Sequence, residues 1–168
     1  MVVRKEGIRV IIVIALLMII GAAYSYAQEL PPRPMKVTTF QNLSMGSFIN
    51  GNSGGTVTIT PEGSRTSTGD IFLVNMNSPF YPAIFEVEAL PGNIIHIHLP
   101  VFATLVGPGG KITTLEINSS LPISPFINSI NPPHRTQVRV GGTLTVGSPL
   151  STPAGSYHGS FSVTFMQE

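Results

Sequence analysis

From Tyr157 to Phe165 the chain alternates strictly. Tyr157, Gly159, Phe161, Val163 and Phe165 fall on one face, and His158, Ser160, Ser162 and Thr164 on the other. This is the period of a half-buried β-strand and not of a helix. The wording Gly-Gly followed by Thr-x-Thr occurs twice, as Gly54-Gly55-Thr56-Val57-Thr58-Ile59 and as Gly141-Gly142-Thr143-Leu144-Thr145-Val146. Two six-residue copies set so far apart do not make a repeat protein. They read as two strands entered through similar tight turns or bulges.

Beyond residue 27 no window carries the i, i+3, i+4, i+7 apolar spacing of a helix, while 17 Gly and 15 Pro in the whole chain punctuate short β-branched and aromatic runs. That pattern predicts a single all-β domain, an antiparallel sandwich or barrel. The expected strands are Met35–Leu43, Thr56–Thr60, Ile71–Asn75, Ala83–Ala89, Ile94–Leu99, Phe102–Val106, Ile112–Ile117, Gln137–Val146 and Ser156–Phe165. The run of residues 118–135, NSSLPISPFINSINPPHR, has four prolines and no alternation. It reads as a long loop. Such loops on rigid sheets often carry binding, so Pro122, Phe126, Ile130, Pro132 and Pro133 are candidate contact residues. The competing reading is a packed cover over a sheet edge, with Phe126 and Ile130 as plugs.

Residues 1–27 read as a cleaved signal peptide. Arg4, Lys5 and Arg9 make a basic region, Val10–Ile20 an unbroken apolar run, and Ser25-Tyr26-Ala27 a small-x-small cleavage site. The apolar run is shorter than the roughly 20 residues a spanning helix needs, so no membrane span is expected in the mature chain. Export to the periplasm or the cell surface follows. The leader holds three of the nine basic and one of the eight acidic residues, leaving six against seven and a mature net charge of −1. With no basic cluster, a nucleic-acid partner is excluded. There is no cysteine, so in an oxidising compartment the fold must hold by its core alone.

Chemistry is sparse. Gly51-Asn52-Ser53-Gly54-Gly55 resembles a serine-hydrolase motif, yet a β run follows the serine where a helix is needed. A trypsin-like order fails too, because the first histidine is His96 and the only aspartate is Asp70. His96 and His98 share one face of their strand, and Glu86 and Glu88 one face of the strand before it. If the two strands form a hairpin, apolar matching pairs Val87 with Ile97 and Phe85 with Leu99, setting Glu88 beside His96 and Glu86 beside His98. Those four residues could then hold a divalent metal or act as a carboxylate pair. The reading preferred for them is cross-strand charge pairing on a wet face, with no metal, cofactor or catalytic residue.

Five segments carry a family resemblance: Gln41–Phe48 (QNLSMGSF) followed by GGTVTI, Gly63–Asp70 (GSRTSTGD), Pro82–Phe85 (PAIF), GGTLTVG, and Gly155–Phe165 (GSYHGSFSVTF). In this order they resemble bacterial domain-of-unknown-function family 4402. The resemblance implies an exported immunoglobulin-like β-sandwich, distantly similar to spore-coat-U-type and archaic pilus subunits, without catalytic residues. Archaic pilins donate an N-terminal extension to a neighbour as a strand. Here only the short arm 28–34, QELPPRP, precedes the domain 35–168, and its three prolines cannot donate ladder hydrogen bonds. A domain completed by its own last strand is therefore expected. The function implied is a non-enzymatic structural or adhesive protein of the cell envelope or surface, contacting a protein or envelope partner or itself. The alternative is a small-ligand or carbohydrate-binding module, although the mature chain offers no Trp and only Tyr81 and Tyr157 as tyrosines.

Overall fold

The computed structural model describes residues 33–168 apart from Asn77. The expected signal peptide, its expected cleavage site and most of the Pro-rich arm lie outside these residues. The described residues form one compact unit of ten strands: β1 Lys36–Gln41, β2 Ser47–Ile59, β3 Arg65–Val74, β4 Ala83–Glu88, β5 Ile94–His98, β6 Phe102–Val106, β7 Ile112–Leu121, β8 Phe126–Ile127, β9 Thr136–Val146 and β10 Thr164–Gln167. A single 3-10 turn at Pro108–Gly110 joins β6 to β7. Every pairing is antiparallel, and the class is the all-β sandwich that the alternation predicts.

The larger sheet is organised by β9. Along one edge its first half, Thr136–Val140, pairs with β4 and its second half, Gly142–Val146, with β2. Its other edge pairs with β7, which continues to β6. Beyond β4 lies β1, and beyond β2 lies β3. The β7 register slips between Glu116 and Ser119, opposite Gly141, and the β2 register slips between Asn50 and Gly55. Both double glycines thus stand at irregularities inside long strands, where the missing side chains let neighbouring backbones come close. A three-stranded sheet, β10-β5-β8, completes the sandwich.

The core lies between the layers. Val57, Ile59, Val138 and Val140 from the larger sheet and Ile95 and Ile97 from the smaller are buried, and the Phe85 ring tilts onto that of Phe165 at 5.7 Å. Burying apolar area at about 25 cal/mol per Å² is the main favourable contribution to a fold that has no disulfide. On the opposite face of β2, threonines meet those of β3 and β9 in register. Thr56 and Thr68 hydroxyls lie 2.7 Å apart, and those of Thr58 and Thr143 3.0 Å.

Three expectations change. First, residues 118–135 are not one loop: residues 118–121 extend β7, and Phe126–Ile127 form β8 on the edge of β5. Second, β4 and β5 form no hairpin. β4 lies between β1 and β9, while β5 lies between β10 and β8. Val87, Ile95 and Ile97 belong to one buried cluster, so the two strands face each other through the core instead of pairing edge to edge. The corner between them is held by Asn128, only 2% exposed. Its Nδ2 donates to the carbonyls of Ala89 at 2.7 Å, Leu90 at 3.3 Å and Ile130 at 2.9 Å, and its Oδ1 accepts from the Thr136 hydroxyl at 2.6 Å. The Gly92 N–H also donates to the Asn128 carbonyl at 2.8 Å. Third, the last strand is laddered only from Thr164 to Gln167 and not from Ser156.

Candidate functional site

The shortened last strand leaves an opening. A groove of about 940 Å³ runs between residues 39–50 on one side and residues 152–161 on the other. Ala83, Phe85, Leu105, Leu115, Leu144 and Val146 contribute to its lining. Ala83, Leu115, Leu144 and Val146 at its base are buried, and among the described residues no strand is laddered between the two walls.

Both walls present backbone with unused ladder positions. On the first wall, Ser47–Asn50 pair with β3 along one edge, but β9 reaches β2 only from Gly55 to Ile59. After Val146 the chain turns away through Gly147–Thr152, where the Gly147 N–H donates to Thr152 Oγ1 at 3.0 Å and the Thr152 N–H to the Ser148 carbonyl at 2.8 Å. On the second wall, the backbone hydrogen bonds of residues 156–163 among the described residues are the reciprocal pair between Val106 and His158, at 2.8 and 3.0 Å. Gly159 passes so close to β6 that a Cβ there would overlap the Thr104 carbonyl. The alternation of this segment is that of a strand, yet its own fold supplies only a fraction of a ladder for it.

The rim of the first wall is fixed by Arg65. Its Nη1 donates to the carbonyls of Met45 and Ser47, each at 3.2 Å, and its Nη2 to Val74 O and Asn75 Oδ1, each at 3.1 Å. The guanidinium also stacks 4.3 Å above the Phe80 ring. Ser44 and Tyr81 bridge reciprocally at 2.9 and 3.0 Å. Held this way, the wall is prepared before anything arrives.

Among the described residues the lining contains no Asp, Glu, Lys or Arg, and His158 is its one histidine. At one end Asn50 Nδ2 donates to the Gly147 carbonyl at 2.8 Å, while its Oδ1 is buried without a partner among the described residues. A buried acceptor left unmet costs about 1–3 kcal/mol, so this oxygen is a ready receiver for an N–H or O–H from outside the chain. The arrangement suits an uncharged ligand that hydrogen-bonds to backbone and presents apolar groups to the floor.

The residues singled out from the sequence lie elsewhere. Glu86 and Glu88, on β4, bind Arg135 at 2.9 and 3.5 Å, and the hydrogen bond to Glu86 raises the Arg135 pKa further. His96 and His98 stand on the outer face of the small sheet, so the pairing of His96 with Glu88 and of His98 with Glu86 does not exist: those strands are never neighbours. Among the described residues no three His, Cys, Asp or Glu gather around one point. Phe126 packs half-buried against the core, and Ile130 is 36% exposed. Pro122 is half-buried, Pro133 is exposed, and Pro132 lines a small hollow with Arg33, Lys36 and Leu90. The groove itself was not foreseen. Its one signal in the sequence is Gly147–Gly155, whose turn residues break the chain between two strongly patterned runs.

Residues 35–166 match the family described as Domain of unknown function (DUF4402). No curated protein and no solved structure matches the chain.

Proposed function

The chain belongs to the DUF4402 family of domains of unknown function, and we propose that it is an exported, non-enzymatic structural or adhesive protein that works by taking an extended polypeptide strand into its groove. The observation that carries this reading is the pairing of an apolar floor with two walls of unladdered backbone. Addition of a strand gives affinity through main-chain hydrogen bonds and specificity through alternate side chains. A strand beside Ser44–Asn50 would span about 23 Å at 3.3 Å per residue, enough for roughly seven residues. The uncharged lining selects a segment poor in Asp, Glu, Lys and Arg.

Support for export comes from the basic and apolar leader with its small-x-small site. The non-enzymatic reading rests on the failed serine-hydrolase context and on the ion-paired state of Glu86 and Glu88. The groove would also admit a small uncharged molecule, which keeps the ligand-binding module as the second reading. Titrating the mature chain with fluorescent ten-residue peptides of alternating Val and Thr, against scrambled charged peptides and a glycan array, separates them. Saturable binding of the alternating peptides is expected. Glycan binding without peptide binding would transfer the groove to the second reading, and binding of neither would remove the proposal.

A further inference from the structure

The outer face of the β5–β10 pair brings together residues that are far apart in sequence. Ile95 and Ile97 are buried, so His96 and His98 project from the opposite face. Two residues apart on a strand, their Cα atoms stand about 6.6–6.8 Å from each other. Met166 is directly opposite His96 in the register and Thr164 directly opposite His98. Side chains facing each other across such a pair have Cβ atoms about 4.5–5.5 Å apart. Glu168 continues the same face. Its backbone exchanges hydrogen bonds with Ile94 at 3.2 and 2.9 Å, and its Oε1 lies 3.5 Å from His96 Nε2.

His96 Nε2 is buried and has no hydrogen-bond partner among the described residues, even with that carboxylate nearby. A ring nitrogen removed from water without a partner is costly, and the register sets a thioether, Met166, opposite this imidazole, with a second imidazole two residues along the same strand; thioether and imidazole are the donor types a soft metal ion takes. Met166 is 47% exposed, so its sulfur can be reached from outside. Ile94 and Ile127, opposite each other on β5 and β8, supply an apolar flank, the kind of surrounding that limits solvent access to a metal site.

We propose that His96, His98 and Met166 form a copper site on the outer face of the small sheet, with the Glu168 carboxylate, 3.5 Å from His96 Nε2, offsetting its charge from outside the ligand set. The donor types choose the metal. Thioether sulfur selects Cu(I), and imidazole suits copper as well. Zinc takes thiolate, imidazole and carboxylate and gains little from a thioether, and magnesium or calcium would need an oxygen set. The site depends on neither the groove nor its occupant.

The test uses the purified chain under anaerobic, reducing conditions, with Cu(I) in competition against a chromophoric chelator and Zn(II) in a parallel titration. One Cu(I) per chain is expected, and the His96→Gln/His98→Gln double variant should lose it. Met166→Leu, at a half-exposed position that should leave the circular dichroism spectrum unchanged, should weaken Cu(I) by at least the roughly 10–100-fold that loss of an outer-sphere partner costs. It should leave Zn(II) binding as it was. Equal Cu(I) affinity in the parent and the double variant would overturn the site. So would a Met166→Leu variant that binds Cu(I) as well as the parent, or one that loses Cu(I) and Zn(II) alike.

Discussion

Replacing Asn128 by alanine should destabilise this domain more than any other polar-to-alanine change in the small sheet. The side chain is 2% exposed, and its amide serves two layers at once, tying the β4–β5 corner at Ala89 and Leu90 to Ile130 and Thr136. The Ala89 carbonyl is buried with its residue, so losing its 2.7 Å partner exposes it to the unsatisfied-acceptor penalty of about 1–3 kcal/mol. The Leu90, Ile130 and Thr136 partners are only partly buried and regain some water. Together they add about 1–2 kcal/mol, at a net value near 0.5 kcal/mol or more for each bond. The sum is about 2–5 kcal/mol, a large share of the roughly 5–15 kcal/mol total stability of a domain. For a domain of this size that corresponds to a fall in Tm of about 8–20 °C. Urea unfolding followed by circular dichroism, with matched slopes in the two proteins, measures it. Thr136→Val should cost less and should not add fully to Asn128→Ala, because the two share one hydrogen bond. A loss below about 1 kcal/mol for Asn128→Ala, or strict additivity with Thr136→Val, would show that the corner does not hang on this amide.

Two further outcomes follow from the geometry. Gly54 has φ +75° beside the β2 bulge, and a Cβ there would run into the Val146 carbonyl, so Gly54→Ala should lower urea stability by more than the roughly 0.4–1 kcal/mol that the same change gains at a compatible site; an unchanged midpoint would rule out the close approach. Glu62 has its pKa lowered, first by a hydrogen bond with the Thr60 side chain and then by its own backbone. A depressed carboxylate stabilises the fold above its unfolded pKa, and the contribution is lost as pH falls through the folded value. Glu62→Gln should therefore lower the melting temperature slightly at neutral pH and converge with the parent in acid, so that its decline below about pH 4.5 is flatter. An identical acid limb in both proteins would count against it.

How much of this was legible beforehand differs between the fold and the sites. Alternation in Thr56–Ile59, Ala83–Ala89, Ile94–Leu99 and Gln137–Val146 identified buried faces correctly, because side-chain direction along a strand is a local property of the backbone. Val57, Val87, Ile95, Val138 and Leu144 are all buried as that pattern requires. Pairing was another matter. The inward faces of Ala83–Ala89 and Ile94–Leu99 suit a hairpin and a sandwich corner equally, and only the course of the chain at Pro91–Asn93, held by Asn128, decides between them. Asn128 itself gave no warning, since one asparagine in a proline-rich stretch looks like any turn residue.

The amino-acid sequence by itself determined that the chain is an all-β domain, where its inward faces lie, and that its turns fall at glycine and proline, since each of these depends on neighbours within a few residues. Tertiary structure decided what stands beside what. It separated Glu86 and Glu88 from His96 and His98 and gave the carboxylates to Arg135. It brought Met166 to His96 from 70 positions away, and it left Tyr157–Val163 strand-patterned yet largely unladdered along an open groove. The physical reason is that a strand's two faces are set by its own residues, whereas its two edges are completed by whichever backbone the rest of the fold delivers.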